Sequence, residues 1–284
     1  MANDNLPGRA RLRCLGALAL VALFLGVPPA FAADKPQDVS IQAGPYLLHG
    51  CFWTPDGPGP YPVMIFNHGS EKNPEPCGPS DLADFYRRHG FAFFTVQRHG
   101  QGASSGPYIM DLQRRAYAER APGGSGARSQ AVALQDLYNK DVEAAVVWLK
   151  GQAWADPQRI AMTGISFGGV QTLLTAQKGL GIRAFVAFAP GAQSWTLVLA
   201  DRLKQAVRQA DAPILIVQAR NDYSLAPSRV LGPELAEKGA ANAVKLYPPF
   251  GQTPQDGHWT FGASRDGAAV WGPDVEAFLD RAMR

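Results

Sequence analysis

The sequence predicts an α/β fold with a mostly parallel sheet of about eight strands and helices on both faces. Short apolar runs alternate along the chain with longer segments of helical period, which is typical of parallel strands joined by helices. The chain has 284 residues, of which 46% are hydrophobic, and this is enough for one large domain with a substantial core. The chain contains no internal repeat or low-complexity block.

The first 32 residues predict an export signal. Three arginines between positions 9 and 13 precede Leu15–Val27, an apolar run of 13 residues, and Ala30-Phe31-Ala32 fits a small-x-small cleavage site. The alternative is an uncleaved membrane anchor, but 13 residues fall short of the roughly 20 that span a bilayer. We therefore expect a signal peptide over 1–32 and a single domain over 33–284. The mature protein should be periplasmic or secreted, without stable membrane insertion.

The mature chain is nearly neutral, because removal of the signal leaves 24 basic against 23 acidic residues. This balance predicts no nucleic-acid partner. Gly100, Gly102 and Gly106 are spaced one residue too widely for a dinucleotide-binding loop, and no H-x-x-x-H or C-x-x-C pair occurs. We therefore expect neither a cofactor nor a metal.

The apolar runs and helical periods place most elements. The expected strands are Val39–Ala43, Tyr46–Trp53, Val63–Asn67, Phe91–Val96, Ile160–Gly164, Ala184–Phe188, Ile214–Gln218 and Val244–Tyr247. The expected helices are Ser80–His89, Ser129–Lys150, Phe167–Lys178, Trp195–Gln209 and Trp271–Met283. The stretch 102–128 is rich in Gly, Arg and Pro and predicts an irregular excursion. Only about 25 residues separate the strands around 188 and 214, so no large lid is expected there.

Two cysteines, Cys51 and Cys77, remain after the signal is removed. In an exported protein an even pair favours a disulfide, which here would close a span of 26 residues. The alternative is two separate thiols, because Cys51 lies in an apolar strand.

The segment "TGISFGGV" contains the pattern G-x-S-x-G around Ser166, directly after an expected strand and before an expected helix. A nucleophile on a sharp strand-to-helix turn needs small neighbours, and glycines stand at 164, 168 and 169. Ser166 is therefore the predicted nucleophile.

A serine nucleophile needs a base and usually a carboxylate. Among five histidines, His258 is the candidate base, because it lies in a loop after the last expected strand. Asp222 follows the strand that begins at Ile214 and is the candidate acid. Asp256 is the competitor, but a carboxylate two residues from the histidine is badly placed to reach the far imidazole nitrogen.

Two backbone N–H groups are candidate oxyanion donors, those of Phe167 after the nucleophile and of Ser70 in "NHGS". Trp259, Tyr223 and Trp195 lie near the inferred site in sequence and could form an apolar pocket, although each is equally consistent with core packing.

The order Ser166, Asp222, His258, together with the "NHGS" and "RHGQGASSG" loops, resembles the α/β-hydrolase superfamily and its dienelactone-hydrolase-like branch of small members. Dienelactone hydrolases have cysteine as nucleophile, whereas this chain has serine. The resemblance therefore implies a serine carboxylesterase that acts on a small-molecule ester. Alternatives on the same triad are a small peptidase or amidase and a lactone hydrolase, and a non-catalytic binding scaffold is a third class.

Overall fold

The structure is a computed structural model that describes residues 1–2, 35–119 and 125–283. Residues 3–34, which hold nearly all of the predicted signal peptide with its cleavage site, lie outside the described residues. No helix within the described ranges combines the length and the apolar character that a membrane crossing requires.

The described chain forms one eight-stranded sheet in the order β1-β2-β4-β3-β5-β6-β7-β8. The strands are β1 (Gln37–Ala43), β2 (Tyr46–Trp53), β3 (Tyr61–Asn67), β4 (Ala92–Val96), β5 (Ala155–Ile165), β6 (Ala184–Phe188), β7 (Ile214–Ala219) and β8 (Ala243–Tyr247). β2 pairs with β1 and β4 in antiparallel fashion, and all other pairs are parallel. The predicted fold class, a mostly parallel sheet of about eight strands, is confirmed.

Helices cover both faces of the sheet. They are α1 (Ser80–Arg88), α2 (Ile109–Ala118), α3 (Ser125–Lys150), α4 (Phe167–Thr175), α5 (Leu197–Gln209), α6 (Ala226–Glu237), the short α7 (Phe261–Ala263) and α8 (Arg265–Ala282). The side chains of β3 alternate between two cores, as strand geometry requires. Val63 and Ile65 join the core under α3, α4, α5 and α6, whereas Met64 and Phe66 join the core under α1 and α8.

The expectation of an irregular excursion over 102–128 was wrong, because α2 occupies Ile109–Ala118 and α3 begins at Ser125. The glycines and prolines on either side of α2 obscured its weak apolar pattern. Only Ile109 and Ala116 of α2 are buried, seven residues apart on one helix face. Ile109 packs in a small cluster with Tyr138 of α3 and Phe167.

Cys51 and Cys77 are joined by a disulfide bond. Cys51 is fully buried in β2, and Cys77 lies between β3 and α1. The bond therefore fixes the far end of the β3–α1 connection, which begins with His68-Gly69-Ser70, to the sheet.

Candidate active site

Ser166 occupies a strained turn between β5 and α4. Its φ of 60° and ψ of −118° lie in a region that residues other than glycine rarely adopt. Two backbone hydrogen bonds hold it there: the Ser166 N–H donates to Phe188 O (3.0 Å), and its carbonyl accepts from the Gly191 N–H (3.2 Å). Both partners belong to β6 and the loop after it, so the neighbouring strand stabilises the turn.

The glycines around Ser166 are explained by close backbone contacts. A Cβ atom at Gly168 would lie 1.8 Å from Asn67 O, and one at Gly164 would lie 2.4 Å from Gly168 O. At Gly169 a Cβ would lie 2.8 Å from Phe188 O. The start of α4 thus packs directly against the end of β3, which brings Ser166 beside the loop that carries Ser70.

His258 and Asp222 form a buried pair. The His258 Nδ1–H donates to Asp222 Oδ1 at 2.8 Å, and both side chains are almost fully buried. Asp222 also accepts from the Tyr223 N–H on Oδ1 (2.6 Å) and from Gln218 Nε2 on Oδ2 (2.7 Å). Among the described residues, His258 Nε2 has no hydrogen-bond partner. The bond to Asp222 therefore leaves that nitrogen available to accept a proton.

Asp256 is engaged elsewhere. Its Oδ2 accepts from the backbone N–H groups of Gln252 (3.0 Å) and Thr253 (2.9 Å) and from the Thr253 hydroxyl (2.8 Å). The Thr253 hydroxyl, followed by these N–H groups, lowers the pKa of Asp256. Asp256 therefore caps the turn before the π-helical segment Asp256–Thr260, whereas the partner of His258 is Asp222.

Asn221, which the sequence reasoning missed, connects the segments that carry the acid and the base. Its Nδ2 donates to Phe250 O (2.8 Å) and Thr253 O (3.0 Å), and its Oδ1 accepts from the Phe250 N–H (2.8 Å). A Cβ at Gly257 would lie 2.5 Å from Asn221 Oδ1, so glycine permits this close approach. The signal in the sequence that could have indicated this role is the position of the asparagine, directly before the candidate acid.

Two cavities meet at Ser166. The larger, of about 590 Å³, is also lined by His258, and the smaller, of about 270 Å³, is not. Both cavities are lined by Ser70, Met110, Ser166 and Gln193. Met110 comes from the unexpected helix α2, which thus forms part of the wall between the two spaces. The two cavities therefore offer separate spaces for the two groups that flank a bond attacked by Ser166.

The predicted oxyanion donors are found beside Ser166. Because α4 begins at Phe167, the Phe167 N–H has no acceptor within the helix. Ser70 lines both cavities, and its carbonyl accepts from the Tyr108 hydroxyl at 2.5 Å. That bond orients the loop that contains the Ser70 N–H.

A buried arginine, Arg98, lies under the same loop and was also missed. Its Nη2 donates to His68 O (2.8 Å) and Gly69 O (2.5 Å), and its Nε donates to Gln101 Oε1 (3.2 Å). Burial lowers the pKa of Arg98 to about 10, so the guanidinium stays charged at neutral pH. Burial, followed by the Arg98 charge, lowers the pKa of His68 well below its usual value, so His68 is neutral.

The three aromatic residues predicted near the site have different places. Trp259 lines the larger cavity. Tyr223 is 45% exposed and lies edge-on to the His258 ring at 5.3 Å, with its hydroxyl donating to Gln255 Oε1. Trp195 packs against the core under α3, α4, α5 and α6 and is absent from the described lining of both cavities.

Glu71 and Glu75, which were not predicted as pocket residues, also line the larger cavity.

One cluster of possible metal ligands occurs in the described part of the chain, formed by Asp38, Cys51 and Cys77. Both sulfurs belong to the disulfide, so they do not offer the thiolates that a metal would bind.

Comparison with known families identifies the chain. The sequence model of the X-Pro dipeptidyl-peptidase (S15) family matches residues 44–228, which is more than half of the chain. The chain belongs to the S15 family. The match includes Ser70, Ser166 and Asp222, whereas His258 lies beyond its end. The resemblance to the dienelactone-hydrolase-like branch stays a prediction.

Solved structures similar to this S15-family chain are α/β-hydrolases. Alpha/beta hydrolase GrgF from Penicillium sp. aligns with a TM-score of 0.61 at 16% identity, over 88% of this chain and 99% of that one. An esterase from Pyrococcus furiosus aligns with a TM-score of 0.63 at 15% identity, over 90% and 98%. Acylaminoacyl peptidase from Pyrococcus horikoshii aligns with a TM-score of 0.65 at 16% identity, over 89% and 42%. At these identities the likeness shows the α/β-hydrolase fold.

Among curated proteins, a polyketide transferase, GrgF from Penicillium sp., is 29% identical over 129 residues. The match covers 45% of this chain and 36% of that protein, so it spans little more than a third of the relative's length.

Proposed function

We propose that this chain is an exported serine hydrolase that cleaves carboxylic esters through an acyl-enzyme. The observation that carries the proposal is Ser166 on a positive-φ turn, in one cavity with the free Nε2 of His258, whose Nδ1–H is held by Asp222. A strained serine, a buried base with one nitrogen free and a buried carboxylate together suit nucleophilic catalysis. The disulfide between Cys51 and Cys77 supports an oxidising compartment and therefore export.

In the proposed mechanism His258 Nε2 takes the proton of the Ser166 hydroxyl as the oxygen attacks the ester carbonyl. Asp222 holds the imidazole tautomer and stabilises the imidazolium that forms. The N–H groups of Phe167 and Ser70 bind the oxyanion. His258 then gives the proton to the departing alkoxide, and water cleaves the acyl-enzyme with His258 again as the base.

The two cavities give this reaction a direction. The leaving oxygen must receive its proton from His258, which lines the larger cavity and is absent from the described lining of the smaller one. The alcohol side of the ester therefore faces the larger cavity. The acyl group enters the smaller cavity beside Phe167, Val132 and Leu199. A compact acyl group with a larger alcohol part fits this arrangement best.

The first experiment asks whether Ser166 is the nucleophile. The purified protein is treated with a fluorophosphonate probe and assayed on p-nitrophenyl acetate. Ser166→Ala should take no label and lose about 10⁴-fold or more in turnover. A folded wild-type protein that neither takes the label nor hydrolyses the ester would favour a non-catalytic scaffold instead.

A second experiment tests the direction of binding with two isomeric esters, octyl acetate and ethyl octanoate. They contain the same atoms, but the long chain lies on the alcohol side in one and on the acyl side in the other. We expect a higher kcat/KM for octyl acetate. A clear preference for ethyl octanoate would show that the assignment of the cavities is reversed.

A small peptidase is the second candidate. It is favoured by membership of the S15 family. Glu71 and Glu75 in the larger cavity would bind a cationic amino terminus if the acyl part of a peptide faced that cavity, which is the reverse of the orientation proposed for the ester. Aminoacyl p-nitroanilides, assayed beside the p-nitrophenyl esters of the same acyl groups, separate the two functions. An amide kcat/KM equal to or above that of the matched ester would favour the peptidase.

A further inference from the structure

Arg98 places a buried positive charge under the loop that carries Ser70. Its side chain is fully buried, and none of the described carboxylates lies within 4.0 Å of it. Glu71 and Asp141 act on it only from a greater distance. A buried cation without a paired anion is unfavourable unless other groups compensate it. The compensation here comes from backbone carbonyls, and these belong to the proposed oxyanion loop.

The Gly69 carbonyl accepts more than one hydrogen bond from buried side chains. Arg98 Nη2 donates to it at 2.5 Å and Gln101 Nε2 at 3.4 Å. No single tautomer satisfies the contacts of the His68 ring, because Nδ1 lies between the Gly69 carbonyl (3.1 Å), which can only accept, and Arg98 Nη2 (3.0 Å), which can only donate. The donors that hold the Gly69 carbonyl are therefore those of Arg98 and Gln101.

The Gly69 carbonyl and the Ser70 N–H belong to one planar trans peptide, so they point in opposite directions. Donors that hold the carbonyl on the Arg98 side therefore turn the N–H toward the other side of the peptide. Ser70 lines both cavities, which Ser166 also lines. Hydrogen bonds to the carbonyl also polarise the peptide and strengthen its N–H as a donor.

Arg98 also contacts the residue that supplies the second oxyanion donor. Its guanidinium lies over the Phe167 ring at 4.8 Å from the centroid. One buried cation is therefore bonded to the peptide of one predicted donor and packed on the side chain of the other.

We propose that Arg98 is a positioning residue of the oxyanion hole, which fixes the Gly69–Ser70 peptide and supplies positive potential behind the N–H groups of Ser70 and Phe167. This inference rests on the proposed ester hydrolysis. The charge favours the anionic transition state over the neutral substrate, so its loss lowers kcat and leaves KM nearly unchanged.

The test compares Arg98→Met and Arg98→Lys with a matched control, Arg87→Met. Arg87 also donates to a backbone carbonyl and packs on an aromatic ring, because its Nε donates to Thr54 O (3.0 Å) and its guanidinium lies over Trp53 at 5.4 Å. Unlike Arg98, it also forms an ion pair, with Asp84 at 3.2 Å. Each variant is assayed on p-nitrophenyl acetate for kcat and KM. The inhibition constant of phenylboronic acid, which forms a tetrahedral anion on the serine, is measured in parallel.

Arg98→Met should lose about 10²-fold in kcat, with KM within about threefold, and the boronic acid should bind more weakly by a similar factor. Arg98→Lys keeps the positive charge but loses the planar guanidinium with its several fixed donors, so kcat should fall about tenfold. Arg87→Met should keep kcat and the inhibition constant within about threefold.

A merely structural role would give a lower melting temperature with unchanged kcat and unchanged boronic-acid affinity in the folded protein, and this would overturn the proposal. If Arg98→Met does not fold, Arg98→Lys and Gln101→Leu decide by the same two measurements, and wild-type values in both would equally overturn it. Failure of the proposed function is seen separately, as a wild-type protein that neither hydrolyses the ester nor takes the fluorophosphonate.

Discussion

Replacement of Asp222 by Asn tests the proposed dyad most directly. The carboxylate accepts three hydrogen bonds: from His258 Nδ1 (2.8 Å) and the Tyr223 N–H (2.6 Å) on Oδ1, and from Gln218 Nε2 (2.7 Å) on Oδ2. An amide has only one oxygen. If that oxygen takes the place of Oδ1, the new NH₂ group meets the NH₂ of Gln218, and if it takes the other place, the NH₂ group meets His258 Nδ1.

Gln218 cannot turn over without loss, because its Nε2 also donates to Ser224 O (2.7 Å) and its Oε1 accepts from the Ser228 hydroxyl (2.6 Å). Both orientations of the introduced amide remove the negative charge opposite the imidazolium. The second orientation also imposes the tautomer with the proton on Nε2, which cannot take the serine proton. We expect kcat to fall by about 10³ to 10⁴, equivalent to about 4 to 5.4 kcal/mol in the activation free energy.

The assay is steady-state hydrolysis of p-nitrophenyl acetate, with circular dichroism to verify folding. Asp256→Asn is the matched control, because Asp256 is closer to His258 in sequence but its carboxylate accepts hydrogen bonds from Gln252 and Thr253. It should keep kcat within about threefold. The reasoning is refuted if Asp222→Asn loses less than about tenfold, or if Asp256→Asn loses as much as Asp222→Asn.

Three further predictions concern stability. Because burial lowers the pKa of His68, the unfolded chain takes up a proton near pH 6.5 that the folded chain resists. His68 should therefore reduce the free energy of unfolding by up to about 1.4 kcal/mol per pH unit below that value, and His68→Gln should flatten this slope in urea unfolding between about pH 7.5 and 5. An equal slope in both proteins would contradict it. Gly168→Ala should cost about 3 kcal/mol or more because its Cβ would lie 1.8 Å from a carbonyl oxygen, whereas Gly232→Ala, with its nearest contact at 3.6 Å, should be neutral or stabilising by up to about 1 kcal/mol in the same assay. The Cys51–Cys77 bond closes a separation of 26 residues, so Cys51→Ser with Cys77→Ser should lower the free energy of unfolding by about 3.5 kcal/mol, and an undiminished urea midpoint would exclude this entropic account.

The sequence predicted those parts of the fold that are determined by residues close together in the chain. The strand before Ser166, the helix after it and the glycines between them are close in the chain, so the turn is visible as a pattern. Helix α2 was missed because its apolar signal, Ile109 and Ala116, is sparse and stands between glycine-rich and proline-rich stretches.

The parts of the site that the sequence did not predict depend on contacts between distant segments. Arg98 reaches the loop of Gly69 across 29 positions, and Asn221 reaches Phe250 across 29 positions. A hydrogen bond to a backbone carbonyl leaves no trace in the identity of the accepting residue. The aromatic side chains illustrate the same limit: Trp259 lines the larger cavity and Trp195 packs against the core, although both are tryptophans near the site in sequence.

The contacts of Asn221 have a mechanical consequence for the proposed chemistry. They connect the segment before His258 to the loop of Asp222, so hydrogen bonds hold acid and base together although they are 36 positions apart in sequence. The turn of Ser166 is held by different bonds, to Phe188 and Gly191 at the end of β6 and just after it. A displacement of the Asp222–His258 pair relative to this turn would change the gap between serine and imidazole while the orientation of the imidazole persists. Remote substitutions should therefore act first on the step in which the serine gives up its proton.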